Sequence, residues 1–226
     1  MTVRRIQHFI DGQWADSRDG ATFESITPID NSVIATVARG GAADADLAVQ
    51  AARRAFDQGP WPRLSPAARK EALHRAAALI SDRLAEFAAA ETLDMGKPIT
   101  ESITMDVPRS AYNLRFFADF AEHAHTQTYA KPWDGVLTYT LREPAGVVAC
   151  IAPWNFPLML ATWKIAPALA YGNTVVLKPA EQSPLTAALL AQVFADAGLP
   201  DGVFNVCRAS VLARPVSGSP SILAWT

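Results

Sequence analysis

The alternation of strands and helices after Gly146 constrains the fold more than any other feature of the sequence. GVVACIA (146–152) and NTVVLKP (173–179) contain continuous apolar runs, which are typical of strands buried on both faces of a parallel sheet. A helical segment follows each run, and GVFNV (202–206) predicts a third strand. This order of elements predicts half of an open parallel sheet flanked by helices, so the expected fold class is α/β.

The carboxyl ends of the first two predicted strands indicate where a ligand should bind. Ligands of open parallel sheets bind beyond the carboxyl ends of the strands. In this sequence those positions are residues 152–155, which form a turn interrupted by proline, and residues 178–181, which include a lysine and a glutamate. We therefore expect a ligand to contact both segments.

β-structure is predicted at both ends of the segment that precedes Gly146. Asp11-Gly12 is a turn signal between the apolar segments HFI and QWA, and Asp30-Asn31 lies near the turn of a second short hairpin. Residues 133–143 are polar and β-like and predict an exposed strand or arm, with Asp134-Gly135 as a turn.

Helices are predicted between these two regions. The first is expected to be capped by Asp44 or Asp46, and the second by Ser65, with Pro66 at its first position. A third helix should end at Gly96, and the stretch 101–125 continues the helical pattern.

Composition argues against several kinds of partner. The formal net charge is −2 without a dense basic run, so we expect no nucleic-acid partner. The most apolar stretch, residues 146–160, is broken by prolines and an asparagine, so we expect no membrane span. Two cysteines, Cys150 and Cys207, do not indicate a disulfide framework, which fits a protein of the reducing cytoplasm. The four histidines show no metal-ligand spacing, and we predict no metal site.

Several motifs together resemble one enzyme family. They are APWNFP (152–157), ALAYGNTVVLKPAEQSPLTA (168–187) and AGLPDGVFNV (197–206), with supporting matches in FIDGQW (9–14), LDMGKP (93–98) and REPAGVV (142–148). Over about residues 7–206 the chain closely resembles the NAD(P)-dependent aldehyde dehydrogenases, which oxidise an aldehyde to a carboxylic acid. DMGKPITES (94–102) and MDVPRSA (105–111) look most like members that oxidise amino-aldehydes or semialdehydes.

The resemblance implies a division of the chain. Residues 1–206 would form an incomplete aldehyde-dehydrogenase-like, Rossmann-type cofactor-binding domain: a parallel sheet flanked by helices. Residues 128–145 would be a β-hairpin arm like the one through which the family forms homo-oligomers. The family's catalytic domain would be absent from this chain.

The resemblance also implies the roles of individual residues. The amide of Asn155 would donate a hydrogen bond to the oxyanion that forms when a cysteine thiolate attacks the aldehyde. Glu181 would accept hydrogen bonds from the adenosine ribose, and Lys178 would donate to the same sugar. The other residues expected to line the cofactor site are Ile151, Ala152, Pro153, Trp154, Pro179 and Ala180.

Glu181 also bears on the choice of cofactor. Its carboxylate should repel a 2′-phosphate, which favours NAD, whereas Lys178 would soften that repulsion and leaves NADP open.

Ordinary structural roles remain as alternatives for these residues. Asn155 could bond its own backbone in a turn, Ile151 could be core packing, and Lys178 with Glu181 could be a surface ion pair. Cys150 lies within a buried apolar run, so we interpret it as an inert core thiol rather than a nucleophile.

The sequence departs from the family at three points that the chemistry needs. It contains no GQxC-like cysteine motif, no ELGGK-like glutamate motif, and no glycine-rich segment after GVFNV to hold the pyrophosphate. We expect this chain alone to be inactive and to bind the cofactor weakly at most. The alternative function is a nucleotide-binding or subunit-interaction module without catalysis. The absence of GxGxxG argues against a complete small Rossmann enzyme.

Residues 207–226 show no periodic pattern and no match to the family motifs. With suitable codons, a shifted reading frame of this tail can encode PGFGARAAGERLAQHPGVD, which contains the missing Gly-x-Gly. Our hypothesis is therefore a frameshift near codon 206, which makes the tail aberrant.

Overall fold

The computed structural model of the protein describes residues 3–208 and 222–225. The strands are β1 (Arg4–Ile6), β2 (His8–Ile10), β3 (Gln13–Ala15), β4 (Thr22–Ile26), β5 (Val33–Ala38), β6 (Thr128–Lys131), β7 (Val136–Tyr139), β8 (Val147–Ile151), β9 (Thr174–Lys178), β10 (Phe204–Val206) and β11 (Ile222–Trp225). The helices are α1 (Ala42–Asp57), α2 (Pro66–Asp82), α3 (Leu84–Met95), α4 (Ile99–Glu101), α5 (Val107–His123), α6 (Pro157–Ala170) and α7 (Leu185–Asp196).

The main sheet has six strands in the order β11-β8-β9-β10-β2-β3. β11, β8, β9 and β10 run parallel, whereas β2 pairs antiparallel with both β10 and β3. β8, α6, β9, α7 and β10 follow one another along the chain, which confirms the predicted α/β unit. The hairpin of β2 and β3 extends this sheet instead of forming a separate one.

Successive side chains of the central strands enter two different cores. Val148 of β8 and Leu177 of β9 pack in a core that includes residues of α2, α6 and α7. Val147 and Val176 pack instead with residues of α1, including Ala52. Because side chains alternate between the faces of a strand, helices cover both faces of the central strands. This arrangement explains why these strands read as continuous apolar runs.

The predicted Asp11-Gly12 turn and two of the predicted helix ends are confirmed. Asp11 and Gly12 have φ angles of 54° and 75°, as a tight two-residue hairpin turn requires. The Ser65 side chain accepts a hydrogen bond from the backbone N–H of Ala68 at 3.2 Å, and α3 ends at Gly96, whose φ is 70°.

The start of α1 differs from the prediction. Gly41 is the N-cap residue, and Asp44 lies inside the first turn, where its carboxylate accepts a hydrogen bond from the Gly41 N–H at 2.8 Å. A carboxylate three positions after the cap interacts with the positive end of the helix as a carboxylate at the cap does. The sequence pattern therefore indicated an acidic residue at the helix start but assigned it to the wrong position.

The predicted helix across 101–125 is present but not uniform. α4 leads directly into a π-helical turn, Ser102–Asp106, and then into α5. Beyond α5, β6 and β7 form an isolated two-stranded antiparallel hairpin in which Gly135 occupies the turn with a φ of 64°. We call this hairpin the arm; the side chains described in both of its strands are exposed.

The predicted aberrant tail lies mostly outside the described residues. Cys207 and Arg208 are described and buried, and β11 pairs parallel with β8 from Ile222↔Val147 to Trp225↔Cys150. This strand is an element that the sequence pattern did not predict. Within the described residues, no helix is long and apolar enough to cross a membrane.

Candidate functional site

Two loops meet at the carboxyl edge of the main sheet. We call residues 152–156 the asparagine loop and residues 178–184 the glutamate loop. Ile151 is the register partner of Lys178, and the backbone N–H of Ala152 donates to the Lys178 carbonyl oxygen at 3.0 Å. The structure therefore places the two predicted cofactor segments side by side, as adjacent parallel strands require.

The asparagine loop presents its polar side chain to solvent. Asn155 is exposed, and within the described residues its amide has no hydrogen-bond partner. The alternative in which this amide bonds its own backbone is therefore not what the structure shows. Trp154 beside it is 58% exposed, whereas Ala152 is buried at the strand end. The loop thus carries an amide that is free to bind an oxygen atom.

The glutamate loop holds its two charged side chains together. The Lys178 Nζ lies 3.3 Å from the Glu181 Oε1, and both side chains are partly buried. Pro179 and Ala180 between them are buried, and the Ser183 N–H donates to the Ala180 carbonyl oxygen at 3.3 Å. In the absence of a ligand, Lys178 and Glu181 therefore form the ion pair that the sequence pattern left open as the alternative to a cofactor site. The same two groups offer a donor and an acceptor to a sugar.

Each loop leads directly into a helix. The asparagine loop ends at the start of α6, and the glutamate loop ends at the start of α7. The amino end of a helix carries unpaired N–H groups and a partial positive charge, which favour anions. Both helix starts lie at the carboxyl edge of the sheet, and one N–H of each, that of Leu158 and that of Leu185, already donates to a carboxylate of this protein.

Buried carboxylates from α3 reach both of these helix starts. The Glu91 Oε1 accepts a hydrogen bond from the Leu158 N–H at 2.8 Å, and the Asp94 Oδ2 accepts one from the Leu185 N–H at 2.9 Å. Burial raises the pKa of Glu91 to about 7 and the pKa of Asp94 well above its usual value. Sequence reasoning assigned no role to these residues, although Asp94 lies within the LDMGKP motif.

A partly buried lysine adds a further contact to the asparagine loop. Lys97 forms an ion pair with Asp106 of the π-helical turn, and its Nζ lies 4.3 Å from the ring centroid of Phe156. This is cation–π geometry, and it links the loop to the segment that follows α3.

Neither described cysteine has the properties of a nucleophile. Cys150 and Cys207 are free and buried, and burial raises the pKa of each thiol to about 12. Because the thiolate is the reactive form, both are inert near neutral pH, as the sequence predicts for Cys150. In the described part of the chain, no group of three or more His, Cys, Asp or Glu side chains is arranged to hold a metal ion.

A cavity of about 450 Å³ lies away from the two loops. It is lined mainly by apolar side chains of α5, α6 and the first half of β8, among them Phe117, Val148, Trp163, Pro167 and Tyr171. None of the predicted site residues lines it, so it is distinct from the carboxyl edge of the sheet.

Comparisons with known proteins agree with the motif pattern. The model of the aldehyde dehydrogenase family matches residues 14–222, so the match continues beyond residue 206. The chain is 48% identical over 207 residues to 2-hydroxymuconic semialdehyde dehydrogenase from Pseudomonas sp. (strain CF600), covering 90% of this chain and 42% of the relative.

Solved structures share the fold as well as the sequence. Indole-3-acetaldehyde dehydrogenase from P. syringae, solved in complex with NAD+ and IAA, has a TM-score of 0.88 and 47% identity. The alignment covers 92% of this chain and 41% of that one. Gamma-glutamyl-gamma-aminobutyraldehyde dehydrogenase from Burkholderia cenocepacia J2315 has a TM-score of 0.87 and 48% identity, covering 92% and 42%. The chain thus spans about two fifths of the length of these relatives.

Proposed function

The chain belongs to the aldehyde dehydrogenase family, and we propose that it supplies the cofactor-binding part of an enzyme that oxidises an aldehyde to a carboxylic acid with NAD(P)+. The observation that carries the proposal is the pairing of Ile151 with Lys178. This register brings the asparagine loop and the glutamate loop to one edge of the sheet, next to two helix starts. The complex of P. syringae indole-3-acetaldehyde dehydrogenase with NAD+ supports the choice of cofactor.

In this proposal the glutamate loop binds the adenosine end of NAD. Glu181 exchanges part of its contact with Lys178 for the ribose hydroxyls, and Lys178 donates to the same sugar. The Glu181 carboxylate disfavours a 2′-phosphate, so NAD is the preferred cofactor, with NADP second. Ile151, Ala152, Pro153 and Trp154 line the other side of the cleft, and Pro179 and Ala180 hold the loop in place.

The asparagine loop contributes to the chemical step. The free amide of Asn155 donates a hydrogen bond to the oxyanion that develops on the aldehyde oxygen. Removing one donor of this kind lowers kcat by roughly 10²–10³-fold in enzymes where it has been tested. NAD, when bound, supplies the acceptor for the hydride. The residues of this chain position the cofactor and stabilise the developing negative charge.

We propose that the 226-residue polypeptide does not complete the reaction alone. Its two thiols are buried and protonated, so neither can attack an aldehyde. The nucleophile and the glutamate that activates water would belong to a catalytic domain, for which this sequence has no motif. The frameshift near codon 206 remains a prediction; resequencing of the DNA across codons 200–226 tests it directly.

We propose that the aldehyde is a semialdehyde or an amino-aldehyde, as the segments 94–102 and 105–111 suggest. Relatives with these names include the 2-hydroxymuconic semialdehyde and gamma-glutamyl-gamma-aminobutyraldehyde dehydrogenases. The two free cysteines are consistent with our proposal that the protein works in the cytoplasm.

Calorimetric titration of the 226-residue protein with NAD+ tests the proposal. We expect a Kd in the micromolar to millimolar range and weaker binding of NADP+. Glu181→Gln should weaken NAD+ binding and narrow the difference between the cofactors. Glu86→Gln, an exposed glutamate of α3 paired with Arg83, is the matched control. No heat and no thermal shift at saturating NAD+ would refute the proposed cofactor site.

A second candidate function is subunit interaction through the arm. Its exposed apolar side chains include Tyr129, Leu137 and Tyr139, which are 54%, 64% and 59% exposed. Exposed apolar surface of this kind marks interaction sites. Light scattering of the purified protein should show oligomers that Leu137→Lys disrupts. A monomer at all concentrations would contradict this candidate.

A further inference from the structure

One turn of α3 reaches the starts of two different helices. Glu91 and Asp94 are 0% and 4% exposed, and each accepts a hydrogen bond from the backbone N–H of another helix. Glu91 binds Leu158 at the start of α6, and Asp94 binds Leu185 at the start of α7. Residues three apart on a helix lie on the same face, so one short surface of α3 contacts both helix starts.

These contacts replace the local caps that the two helices lack. The N-cap residue of α6 is Phe156 and that of α7 is Pro184, and neither provides a side-chain cap. The first N–H groups of a helix have no partner within it and need an acceptor. Because Pro157 has no N–H, Leu158 carries the first donor within α6. A carboxylate there also interacts favourably with the positive end of the helix.

Burial of the Glu91 and Asp94 carboxyl groups lowers the free energy of unfolding, because one oxygen atom of each has no partner in the described part of the chain. Glu91 Oε2 and Asp94 Oδ1 are buried without a hydrogen-bond partner among the described residues. A buried polar atom without a partner typically costs about 1–3 kcal/mol. Apolar side chains would avoid this cost but would leave the Leu158 and Leu185 N–H groups without these acceptors, so the role of both acidic residues lies in the two helix starts that they bind.

The importance of each helix start follows from the loop that precedes it. α6 directly follows the asparagine loop with Asn155, and α7 directly follows the glutamate loop with Glu181. A displacement of either helix start moves the loop joined to it. Lys97 contacts Phe156 from the segment that follows α3, so the asparagine loop has a second attachment to the same region.

We propose that Glu91 and Asp94 are positioning residues that set the two loops relative to each other through one turn of α3. Glu91 positions the asparagine loop, and Asp94 positions the glutamate loop. The inference rests on the proposed function, because the cofactor and oxyanion roles of the loops come from there. α3 acts as a shared support that fixes the distance between the oxyanion donor and the ribose acceptor.

Amide hydrogen exchange of the 226-residue protein, followed by NMR, tests the inference without any ligand. In Glu91→Leu we expect exchange at Leu158 to accelerate roughly 5- to 30-fold, as for loss of one helix cap, with Leu185 unchanged. Asp94→Leu should give the reverse pattern. Glu91→Gln and Asp94→Asn keep an acceptor oxygen and should restore exchange close to wild type. Glu86→Leu on the exposed side of α3 should alter neither amide.

An effect of each variant on its own helix start alone distinguishes a positioning role from a general loss of stability. Equal acceleration of both amides in each variant, or no acceleration in either, would overturn the proposal. If the leucine variants do not fold, Glu91→Asp and Asp94→Glu change only the length of each side chain. Each should then shift the amide resonances of its own loop and leave those of the other loop in place; shifts shared equally by both loops contradict the inference.

The side-chain amide resonance of Asn155 gives a readout closer to function. The Asn155 resonance should shift in Glu91→Leu and should keep its wild-type position in Asp94→Leu. The affinity for NAD+ should fall more in Asp94→Leu than in Glu91→Leu. Exchange and resonances are measured without cofactor. Absence of NAD+ binding by the wild type would therefore refute the proposed function, while the exchange pattern would still decide the positioning role.

Discussion

The two loops at the carboxyl edge of the sheet differ in how their polar groups are engaged. In the asparagine loop, the side chain of Asn155 is exposed and has no hydrogen-bond partner among the described residues. The end of the same loop is held by two contacts: Lys97 lies over the ring of Phe156, and Glu91 accepts a hydrogen bond from the N–H of Leu158. In the glutamate loop, Lys178 and Glu181 already satisfy each other at 3.3 Å. The proposed donor of the asparagine loop is therefore free of other contacts, whereas in the proposed function the glutamate loop exchanges an existing contact for a ligand.

This difference is consistent with the two proposed tasks. A donor to a developing oxyanion is most effective when it needs no rearrangement at the moment of reaction. A sugar can be bound by groups that pair with each other when the site is empty. The asparagine loop should therefore depend mainly on its anchors, and the glutamate loop on its own charges.

The largest expected effect concerns the anchor of the asparagine loop. The folded-state pKa of Glu91 is raised from 4.5 to about 7, chiefly by burial; the Leu158 N–H and Lys97 oppose the shift, and Asp106 adds to it. Protonation of Glu91 therefore favours the folded state. This contribution to the free energy of unfolding is complete below about pH 4.5 and is lost as the pH rises through about 7. The free energy of unfolding falls by about 3 kcal/mol over this range.

Urea unfolding at pH values from about 5 to 8 measures this loss. Glu91→Gln should flatten the curve but leave some slope, because the pKa of Asp94 is also raised. A Glu91→Gln curve parallel to that of wild type would show that Glu91 does not titrate in this range.

The next effect concerns ligand binding by the glutamate loop. Glu181→Gln removes charged hydrogen bonds to the ribose, each worth about 1.5–3 kcal/mol, so NAD+ affinity should fall roughly 10- to 100-fold. Calorimetry with NAD+ and NADP+ measures both affinities. An unchanged ratio of the two would contradict the assigned role of this carboxylate.

A smaller effect is expected for the ion pair itself. Lys178→Met should change the free energy of unfolding by only about 0.2–1 kcal/mol, because a partly exposed pair contributes little. Thermal unfolding at low and high salt measures the change, which should shrink at high salt. A loss much larger than this would make the pair a structural element rather than a ligand site.

The smallest effect is expected for Asn155. Because its amide is exposed and unpaired, Asn155→Ala should alter the free energy of unfolding by less than about 0.5 kcal/mol. Urea unfolding of this variant beside Glu91→Leu compares a free loop residue with its anchor. A substantial loss in Asn155→Ala would show that the asparagine stabilises its own turn, as the structural alternative holds.

Local sequence signals were enough to predict the central strands β8, β9 and β10, several of the turns and the position of both loops. Apolar runs, Asp11-Gly12 and Gly96 act over a few residues, and a loop that follows a parallel strand has a known place in the fold. The anchors could not be predicted in this way. Glu91 and Leu158 are 67 residues apart, and Asp94 and Leu185 are 91 apart, so only the packing of α3 brings them together.

The edges of the main sheet were also not predictable from local patterns. The hairpin of β2 and β3 has the turn and alternation of any short hairpin, and nothing in it indicates that β10 is its neighbour. Ile222–Trp225 has no periodicity, yet it pairs with β8. The edge of a parallel strand offers unpaired N–H and C=O groups to any extended segment of sufficient reach.

The most direct test of the central claim is to map the NAD+ site on the 226-residue protein by NMR. Titration of the isotope-labelled protein with NAD+ should shift the backbone amides of the asparagine loop and the glutamate loop, with the largest shifts near Glu181. Shifts confined to the cavity between α5 and α6, or no shifts at saturating NAD+, would contradict a cofactor site at the carboxyl edge of this sheet.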